Sequence, residues 1–389
     1  MPQPYGFCYR IATFFHISIL LSIIFYTFAR GNQIDKNMKK ILLSLCVLLS
    51  YTFSLQAQVT NLEETQEDSV INVIAYFCKG DTMKYTYTDA VYKIAQKDTI
   101  TSSYYTRDCM IVVTDSTAKG YKMELTPFEV EVADDSTANK LETKMNVAIL
   151  KGFTNIKIKF HTDEFGTIEA IDNWREVRDL FLNGTRKAFD ELYNQTPGLD
   201  SFMPRKKFEN MIALNMKNEE TVREYIEELP LLFDCHGKQF QIGTTEVTDS
   251  TTSLYPTKIK VLASYTEDEE EGTAGDYTLI SSSTTAIPPK DTKQIVGFVF
   301  QNLFSGELGK KGEAFVQDSL ENVLKNDSMK VENYEKYYIF GNGWPAHMQT
   351  LKSSGFSFQK KIECKSIDWF YRSWKGYTMK DEELDKKKL

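Results

Sequence analysis

Three histidines after residue 60 could bind a metal or transfer a proton. They are His161, in an alternating segment, His236, beside Cys235, and His347, shortly after Trp344. Metal sites usually show paired spacings such as HxxxH or CxxC, and these histidines have no partner at such a spacing. The sequence therefore predicts no metal site and no bound cofactor.

Carboxylates are numerous enough to supply a catalytic pair, but no motif marks one. The chain has no GxSxG, no P-loop and no GxGxxG that opens a helix after a strand. The acidic run Glu267–Glu271 lacks the alternating Asp/Asn and Gly of a calcium loop and is typical of a solvated loop. No catalytic residue is predicted. A hydrolase with a site assembled from scattered Asp, Glu and His side chains stays open as the alternative.

Residues 38–57 have the layout of a secretory signal peptide. Lys39 and Lys40 form a positive start, an apolar run follows, and the small residue Ala57 precedes Gln58. The apolar run is short for a membrane span, which needs about 20 residues. We therefore expect cleavage between Ala57 and Gln58 and a periplasmic or secreted mature protein.

Residues 1–37 precede this signal peptide and are interpreted as a spurious or upstream extension. Residues 11–29 are apolar enough to span a bilayer, and several basic residues follow them. A start of translation at Met38 is the simpler interpretation, because a complete signal peptide would otherwise be a coincidence. Residues 58–69 would then form a flexible arm at the start of the mature chain.

The charge balance disfavours one class of partner. Residues 1–57 hold five of the 46 Lys and Arg and one of the 54 Asp and Glu, so 41 basic and 53 acidic side chains would remain, a net charge of −12. Such a surface repels polyanions, so nucleic acid is not an expected partner. The ordinary hydrophobic content predicts a globular mature chain without a stable membrane span.

Four cysteines would remain after cleavage. They are Cys78, Cys109, Cys235 and Cys364, and none has CxxC spacing. An exported protein meets oxidising conditions, and four cysteines allow three disulfide pairings. Buried free thiols are the other interpretation, because a core of this size needs no covalent support.

Asp followed by Ser or Thr and then by a small or apolar residue or Thr recurs along the chain. The eight hydroxyl residues are Ser69, Thr82, Thr99, Ser116, Ser136, Ser250, Ser319 and Ser328. The triplet resembles the O-glycosylation acceptor motif of exported Bacteroidota proteins, so these eight are candidate acceptors. The alternative is that Asp-Ser and Asp-Thr simply mark turns.

Hydrophobic patterning predicts strands on both sides of a helical region. Ile156, Ile158 and Phe160 alternate with polar residues. Residues 121–132 alternate with a change of phase at Pro127, as in a strand that has a bulge or lies at a sheet edge. Residues 174–192 repeat at helical spacing. Further along, residues 231–243 resemble a hairpin, Asn342-Gly343 is a strong hairpin-turn signal, and a long final strand runs through Ile362 and Cys364.

The order strands, helices, strands, helices, strands predicts an α+β fold with antiparallel curved sheets packed on amphipathic helices. The predicted units are residues 70–229, a β-rich half ending in helices, residues 230–374, a second β-rich half with central helices, and residues 375–389, a charged tail. A weak internal duplication near residue 230 would make the halves similar. The aromatic residues near the end are assigned to the core rather than to a sugar-binding or apolar pocket: Trp344, Trp369, Phe370, Tyr371 and Trp374.

Two segments carry a resemblance, KIKFHTDEFGTIEAIDNWREVRDLF and YYIFGNGWPAHMQTL, in each of which a strand ends at a glycine turn. From Val70 to Tyr371 the chain resembles exported, uncharacterised Bacteroidota-type proteins with a β-rich, lipoprotein-carrier-like (LolA-like) build. The resemblance supplies no catalytic residues. We expect an exported non-enzymatic protein in which a cleft between sheet and helices binds an apolar small molecule, a lipid or a protein partner. The apolar face of the helix over residues 174–192 would then not close completely against its sheet.

Overall fold

The computed structural model describes residues 70–95, 98–132, 140–202, 205–250, 254–266, 275–293, 328–357 and 359–375. The strands in these residues are β1 (Val70–Asn72), β2 (Thr82–Ala95), β3 (Asp98–Thr117), β4 (Gly120–Val132), β5 (Ile158–Thr162), β6 (Ile168–Ile171), β7 (Gln239–Gln241), β8 (Gly243–Asp249), β9 (Thr257–Tyr265), β10 (Tyr277–Ile287), β11 (Met329–Ile339), β12 (Pro345–Gly355) and β13 (Gln359–Ser373). The helices used below are α1 (Leu141–Lys151), α2 (Trp174–Gln195), α3 (Leu199–Phe202), α4 (Arg205–Asn215), α5 (Glu219–Tyr225) and α6 (Glu228–Phe233).

Eleven of the described strands form one antiparallel sheet in the order β6-β5-β4-β3-β2-β13-β12-β11-β10-β9-β8. The last strand, β13, returns to pair with β2, so strands from before and after the helices meet in the middle of the sheet. The short strands β1 and β7 pair with each other separately. The predicted α+β class with antiparallel pairing is therefore confirmed, whereas the similarity of two halves stays a prediction.

The predicted boundary between residues 229 and 230 does not separate two sheets. It lies inside helix α6, and the pairs β1–β7 and β2–β13 both join the segments on either side of it. The predicted hairpin over residues 231–243 is wrong, because its first residues belong to α6 and β7 pairs with β1. Leu229, Leu232 and Phe233 are buried at helical spacing, and this packing outweighs the local hairpin signal.

One face of the sheet, called the inner face, carries Tyr85 and Tyr87 of β2 and Cys109 and Ile111 of β3, all of them fully buried. Helix α1 packs on β3 and β4, α2 on β5, α5 on β6, and α6 on β12 and β13. The opposite, outer face is partly exposed and mostly polar along β2 and β3. Successive side chains of a strand point to opposite faces, so this amphipathic alternation places the core between the inner face and the helices.

Two detailed strand predictions are confirmed. Ile156, Ile158 and Phe160 are buried, as the alternation around β5 predicts. The register between β3 and β4 shifts where Cys109 pairs with Pro127, so β4 is one strand with a bulge beside its proline. Proline lacks the N–H that a regular ladder needs, which explains why the irregularity lies there.

Helix α2 forms where it was predicted, but its apolar face is closed. Val177, Phe181 and Phe189 are fully buried, and the ring of Phe181 stacks on that of Phe153 with 4.1 Å between centroids. The expectation that this face leaves an apolar cleft is therefore wrong. Aromatic side chains from both sides of the interface fill the space, because interiors pack to high density.

The predicted turn at Asn342-Gly343 joins β11 to β12. Gly343 has φ +86°, and a Cβ atom there would lie 2.4 Å from the carbonyl oxygen of Ile74, so only glycine fits. Trp344 is fully buried after the turn, whereas Phe370 and Tyr371 are 51% and 46% exposed. The core assignment of the aromatic end is thus correct for Trp344 and wrong for these two.

Several predictions lie outside the described residues. These are the signal peptide with its cleavage site at Ala57 and Gln58, the arm over residues 58–69, the acidic run Glu267–Glu271, most of the central helices of the second half, and nearly all of the tail. Within the described part of the chain, no helix is both long enough and apolar enough to cross a membrane.

Candidate functional site

The structure places two of the predicted histidines in separate histidine–carboxylate contacts on the outer face. His161 Nδ1 lies 2.6 Å from Asp172 Oδ1, and its Nε2 lies 3.4 Å from Glu169. His347 Nδ1 lies 2.5 Å from Asp368 Oδ1. Five strand intervals separate β5 from β12 in the sheet, which corresponds to roughly 24 Å along it. The two histidines therefore do not form a common site.

Neither pair contains a nucleophile bonded to its histidine. Ser366 donates to Asp368 Oδ2 at 3.3 Å, so it contacts the acid of the pair rather than His347. A serine nucleophile must hydrogen-bond to the base that accepts its proton. This geometry fits a surface ion pair and not the acyl-transfer arrangement that a hydrolase would use.

His236 belongs to the core. Its Nε2 lies 2.9 Å from the carbonyl oxygen of Gly343, and its ring packs against Phe77 and Phe233 at centroid distances of 5.9 and 5.3 Å. Burial lowers the pKa of His236 to about 4, although hydrogen bonds with the backbone of Gly343 and of Phe233 oppose this effect. The imidazole is therefore neutral near pH 7 and acts as a packing residue.

The four cysteines are free thiols in the structure, and none of the possible disulfides is formed in it. Cys109 and Cys235 are buried, and Cys78 and Cys364 are half-buried. Burial raises the pKa of all four thiols. Raised pKa values disfavour the reactive thiolate, so these are not nucleophile candidates. Across the described residues, no three His, Cys, Asp or Glu side chains group as a metal site would require.

Five of the eight candidate O-glycosylation residues lie in the described part of the chain. Thr99 and Ser250 are exposed, and Thr82, Ser116 and Ser328 are half-buried. Ser116 donates its hydroxyl proton to the carbonyl oxygen of Phe77 at 2.9 Å. Ser69, Ser136 and Ser319 lie outside the described residues. Modification at these positions stays a prediction.

A cluster of charged and phenolic side chains lies on the inner face, where β2 pairs with β3 and β13. This inner-face cluster consists of Tyr87, Asp89, Tyr105, Glu227 and Lys365. Tyr87 Oη hydrogen-bonds to Glu227 Oε2 and lies 3.2 Å from Asp89 Oδ2. Lys365 Nζ lies 2.7 Å from Glu227 Oε2 and 3.7 Å from Asp89 Oδ2. The side chains of Glu227 and Lys365 are 34% and 22% exposed, so the cluster reaches solvent on one side.

The two carboxyl groups of this cluster differ electrostatically. Burial raises the pKa of Asp89 to about 6, although the charge of Lys365 opposes the rise. Burial alone would also raise the pKa of Glu227, but Lys365 and the hydrogen bonds from Lys365 and Tyr87 lower it. Beside them, Arg107 and Glu228 form an ion pair that is 1% and 0% exposed. The environments therefore raise the pKa of one carboxyl group and lower that of the other.

A pocket with a volume of about 500 Å³ lies beside helix α2. Its walls come from α2, from the segment that follows α1, and from the start of β5; the lining residues used below are Lys151, Asn155, Ile156, Lys159, Leu180 and Lys187. We call this the α2 pocket. The helices approach closely here, since a Cβ on Gly184 would lie 2.9 Å from Gly152 Cα. The two glycines therefore set the position of α2 against the segment that forms the opposite wall.

The α2 pocket combines cationic and apolar groups. Lys151, Lys159 and Lys187 are exposed, and within the described residues no carboxylate forms an ion pair with them. Leu180 is 46% exposed on the same wall. Asn155 adopts φ +60°, a left-handed conformation that asparagine tolerates better than most other residues with a side chain. Such a pocket can hold an anionic group and an adjacent apolar group.

No family model matches the chain, and no curated protein matches it either. Among solved structures, a study of lipid–protein interactions in lipovitellin shows 9% identity and a TM-score of 0.33; 78% of this chain and 26% of the lipovitellin chain are covered. The chain thus spans about a quarter of the length of the lipovitellin chain it matches.

Two further solved structures show weaker likeness. OmpF of Salmonella typhi in complex with daunomycin shows 5% identity and a TM-score of 0.17, with 75% of this chain and 98% of that chain covered. An outer membrane channel from Pseudomonas putida F1 shows 8% identity and a TM-score of 0.12, with 79% and 100% covered. All three TM-scores are below 0.5, so these likenesses establish neither a shared fold nor a shared function.

Sequence reasoning missed both the inner-face cluster and the α2 pocket. Asp89, Glu227 and Lys365 are far apart in the chain. Asp89 and Lys365 meet because β13 returns to β2, and Glu227 joins them because α6 packs on β12 and β13. One usable signal was present: Lys361, Glu363 and Lys365 alternate in the final strand. Charged residues at every second position of a central strand indicate a polar inner face rather than an apolar core.

Proposed function

We propose that this is an exported, non-enzymatic binding protein whose α2 pocket holds an apolar ligand with an anionic head group. The observation that carries the proposal is the pocket itself, which brings three exposed lysines and an exposed leucine together beside α2. Its volume of about 500 Å³ lies within the usual range of small-molecule sites, roughly 300–1,000 Å³. Lysine ammonium groups bind carboxylates and phosphates through charge-assisted hydrogen bonds.

The anionic head group is argued from local charge. The chain has a formal net charge of −8, which repels anions in general. Four lysines and only one glutamate, Glu176, nevertheless line the α2 pocket. Of these lysines, Lys157 is paired with Glu124 at 2.7 Å. A cationic site on an acidic protein favours anions locally, and the apolar surface of Leu180 favours an attached hydrocarbon chain.

The hydrolase alternative has less support. Asp89 and Glu227 are the converging acids that it requires, but both contact Tyr87 and Lys365, and neither lines the α2 pocket. The histidines that could act as bases lie on the outer face or in the core. The described geometry therefore favours binding over catalysis.

Export is the first part of the proposal to test. We expect the native protein to begin at Gln58, because residues 38–57 have the layout of a signal peptide. N-terminal sequencing of protein from the native host, from fractions of cytoplasm, periplasm and medium, measures this. Material that keeps residues 1–37 in the membrane would contradict it.

Binding is tested with dodecanoate as the probe. The wild-type protein should bind it, and the double variant Lys159→Glu/Lys187→Glu should bind at least about tenfold more weakly, since each reversed charge is worth on the order of 1 kcal/mol at a partly exposed site. Isothermal titration calorimetry measures both dissociation constants. The control is Lys217→Glu, which reverses an exposed lysine outside the pocket.

Dodecanol separates the contributions of head group and chain, since it keeps the chain and lacks the charge. It should bind the wild-type protein more weakly than dodecanoate and should be insensitive to the lysine substitutions. The proposal is wrong if dodecanoate does not bind, or if Lys217→Glu weakens binding as much as the double variant does.

A further inference from the structure

In the inner-face cluster, one phenolic proton lies between two carboxyl groups. Tyr87 Oη lies within hydrogen-bond distance of both Glu227 Oε2 and Asp89 Oδ2. A phenol has one proton, so it donates to only one of the two carboxyl groups. If both carboxyl groups were ionised, the other contact would place two lone pairs against each other in a buried site, which is costly. A proton on one of the acids, donated to Tyr87, relieves this repulsion.

The surroundings decide which acid carries it. Glu227 accepts from Tyr87 and is bridged by Lys365 at 2.7 Å, so it is the stabilised anion. Asp89 is 3.7 Å from the same ammonium group and is only 6% exposed. Of the two carboxyl groups, the one that is more deeply buried and more distant from the cation has the higher pKa and takes up the proton first as the pH falls.

The charged groups that face Asp89 come from every element packed around it. Tyr87 lies on its own strand β2, Tyr105 and Arg107 lie on β3, Glu363 and Lys365 lie on β13, and Glu227 and Glu228 lie at the start of α6. Arg107 is paired with Glu228, and Lys365 is shared with Glu227. The environment of Asp89 therefore holds no cation that is committed to it alone.

We infer that Asp89, Tyr87 and Glu227 form a proton-binding site, the α6 proton site, that fastens the start of helix α6 to the sheet while Asp89 is protonated. In that state the hydrogen bonds run from Asp89 to Tyr87 and from Tyr87 to Glu227, and every contact has a proton. When Asp89 loses its proton, it keeps the hydrogen bond from Tyr105, but it competes with Glu227 for the proton of Tyr87 and for the ammonium group of Lys365. The attachment of α6 to β2 then weakens.

The pH range follows from the sign of the shift. Burial raises the pKa of Asp89 from its ordinary value of 3.8 to about 6 in the folded protein. A group whose pKa is raised by folding stabilises the fold fully below its unfolded pKa, and this stabilisation is lost as the pH rises through the folded pKa. The α6 proton site should therefore weaken between about pH 5 and pH 7.

A direct titration tests the protonation. In the full chain labelled with ¹³C at aspartate carboxyl groups, NMR should show the Asp89 signal titrating with a midpoint near pH 6. The substitution Asp89→Asn assigns the signal. A midpoint below pH 5 would overturn the inference. If the variant does not fold, sequential backbone assignment of β2 in the wild-type protein identifies the Asp89 signal, and the titration remains decisive.

Hydrogen exchange tests the attachment of α6. After correction for intrinsic rates, the protection factors of residues 226–229 should fall about tenfold between pH 5 and pH 7.5, because one pKa unit of differential proton binding corresponds to a factor of ten. The end of α6 is left out because burial also raises the pKa of Asp234 to about 6. Asp89→Asn imitates the neutral acid and should abolish this fall. Asp108→Asn is the control, because Asp108 accepts from Thr86 at 2.7 Å on the outer face and an asparagine oxygen can still accept there.

Local exchange is used because other buried groups affect global stability. His236 has a pKa lowered to about 4, so its contribution is lost as the pH falls, opposite in sign to that of Asp89. A wild-type protein whose α6 protection does not change with pH would refute the proton site. So would an Asp89→Asn variant that keeps the wild-type pH dependence.

Discussion

Replacing Arg107 with alanine should lower the free energy of unfolding by about 3–5 kcal/mol, which is the usual cost of leaving one partner of a buried ion pair alone. Arg107 and Glu228 are 1% and 0% exposed, and Arg107 Nη2 hydrogen-bonds to Glu228 Oε1. Without the guanidinium group, Glu228 becomes a buried charge with no cation bonded to it. Denaturant unfolding at pH 7 measures the loss as a shift of the midpoint at constant slope.

Two further variants separate the charge effect from the loss of packing. Arg107→Met/Glu228→Gln removes both charges and keeps most of the volume, so it should recover most of the stability. Arg178→Ala breaks a partly exposed pair with Asp179 at 2.8 Å and should cost no more than about 1 kcal/mol. If Arg107→Ala costs as little as Arg178→Ala, the pair is not the buried interaction described above.

Replacing Trp344 with alanine should also cost about 3–5 kcal/mol, the typical range for removal of a large buried aromatic side chain. Trp344 is fully buried, its ring lies 4.1 Å from that of Phe77, and its Nε1 donates to Asp81 Oδ2 at 3.4 Å. Asp81 also accepts from the backbone N–H of Lys375 at 2.7 Å. The substitution therefore leaves a cavity and removes one of the donors to a buried carboxylate.

The matched control for this substitution is Phe370→Ala. Phe370 is 51% exposed, so its truncation should lower the free energy of unfolding by no more than about 1 kcal/mol. The midpoint of denaturant unfolding measures this change. Equal midpoints for the two variants would contradict the assignment of Trp344 to the core. The same pair of variants also compares a buried with an exposed aromatic residue of the same region of the chain.

Local sequence signals predicted the strands, the turn and the helix whose conformation depends on residues near in the sequence. Ile158 and Phe160 are buried because alternation matches the two faces of β5. Gly343 marks the turn between β11 and β12 because its positive φ strongly disfavours most other residues there. The helix pattern over residues 174–192 likewise gave α2, since apolar spacing reports which side packs.

The arrangement of the strands could not be predicted from these signals. The pairing of β2 with β13 joins residues 82–95 to residues 359–373, and no local pattern specifies that pairing. The apolar residues of β13 also suggested the wrong side of that strand as the side that faces the core. Ile362 and Cys364 are half-buried on the outer side, whereas Lys361 and Lys365 point to the inner face with Ile367. Charged partners from other elements make those inner positions acceptable.

The α2 pocket was hidden for a similar reason. Its lysines come from the end of α1, from β5 and from α2, so the sequence shows only ordinary surface lysines. The close approach of Gly152 and Gly184 brings those segments together. Helical periodicity correctly predicted the buried face of α2, but it carries no information about what lies beside the exposed face.

The most direct test of the binding proposal is a crystal structure of residues 58–389 grown with dodecanoate at a concentration above its measured dissociation constant. The proposal predicts the carboxylate in the α2 pocket, with an oxygen about 2.7–3.2 Å from Nζ of Lys159 or Lys187 and the hydrocarbon chain against Leu180. Dodecanoate bound at another site, or an α2 pocket without ligand density in crystals that contain the compound, would contradict it.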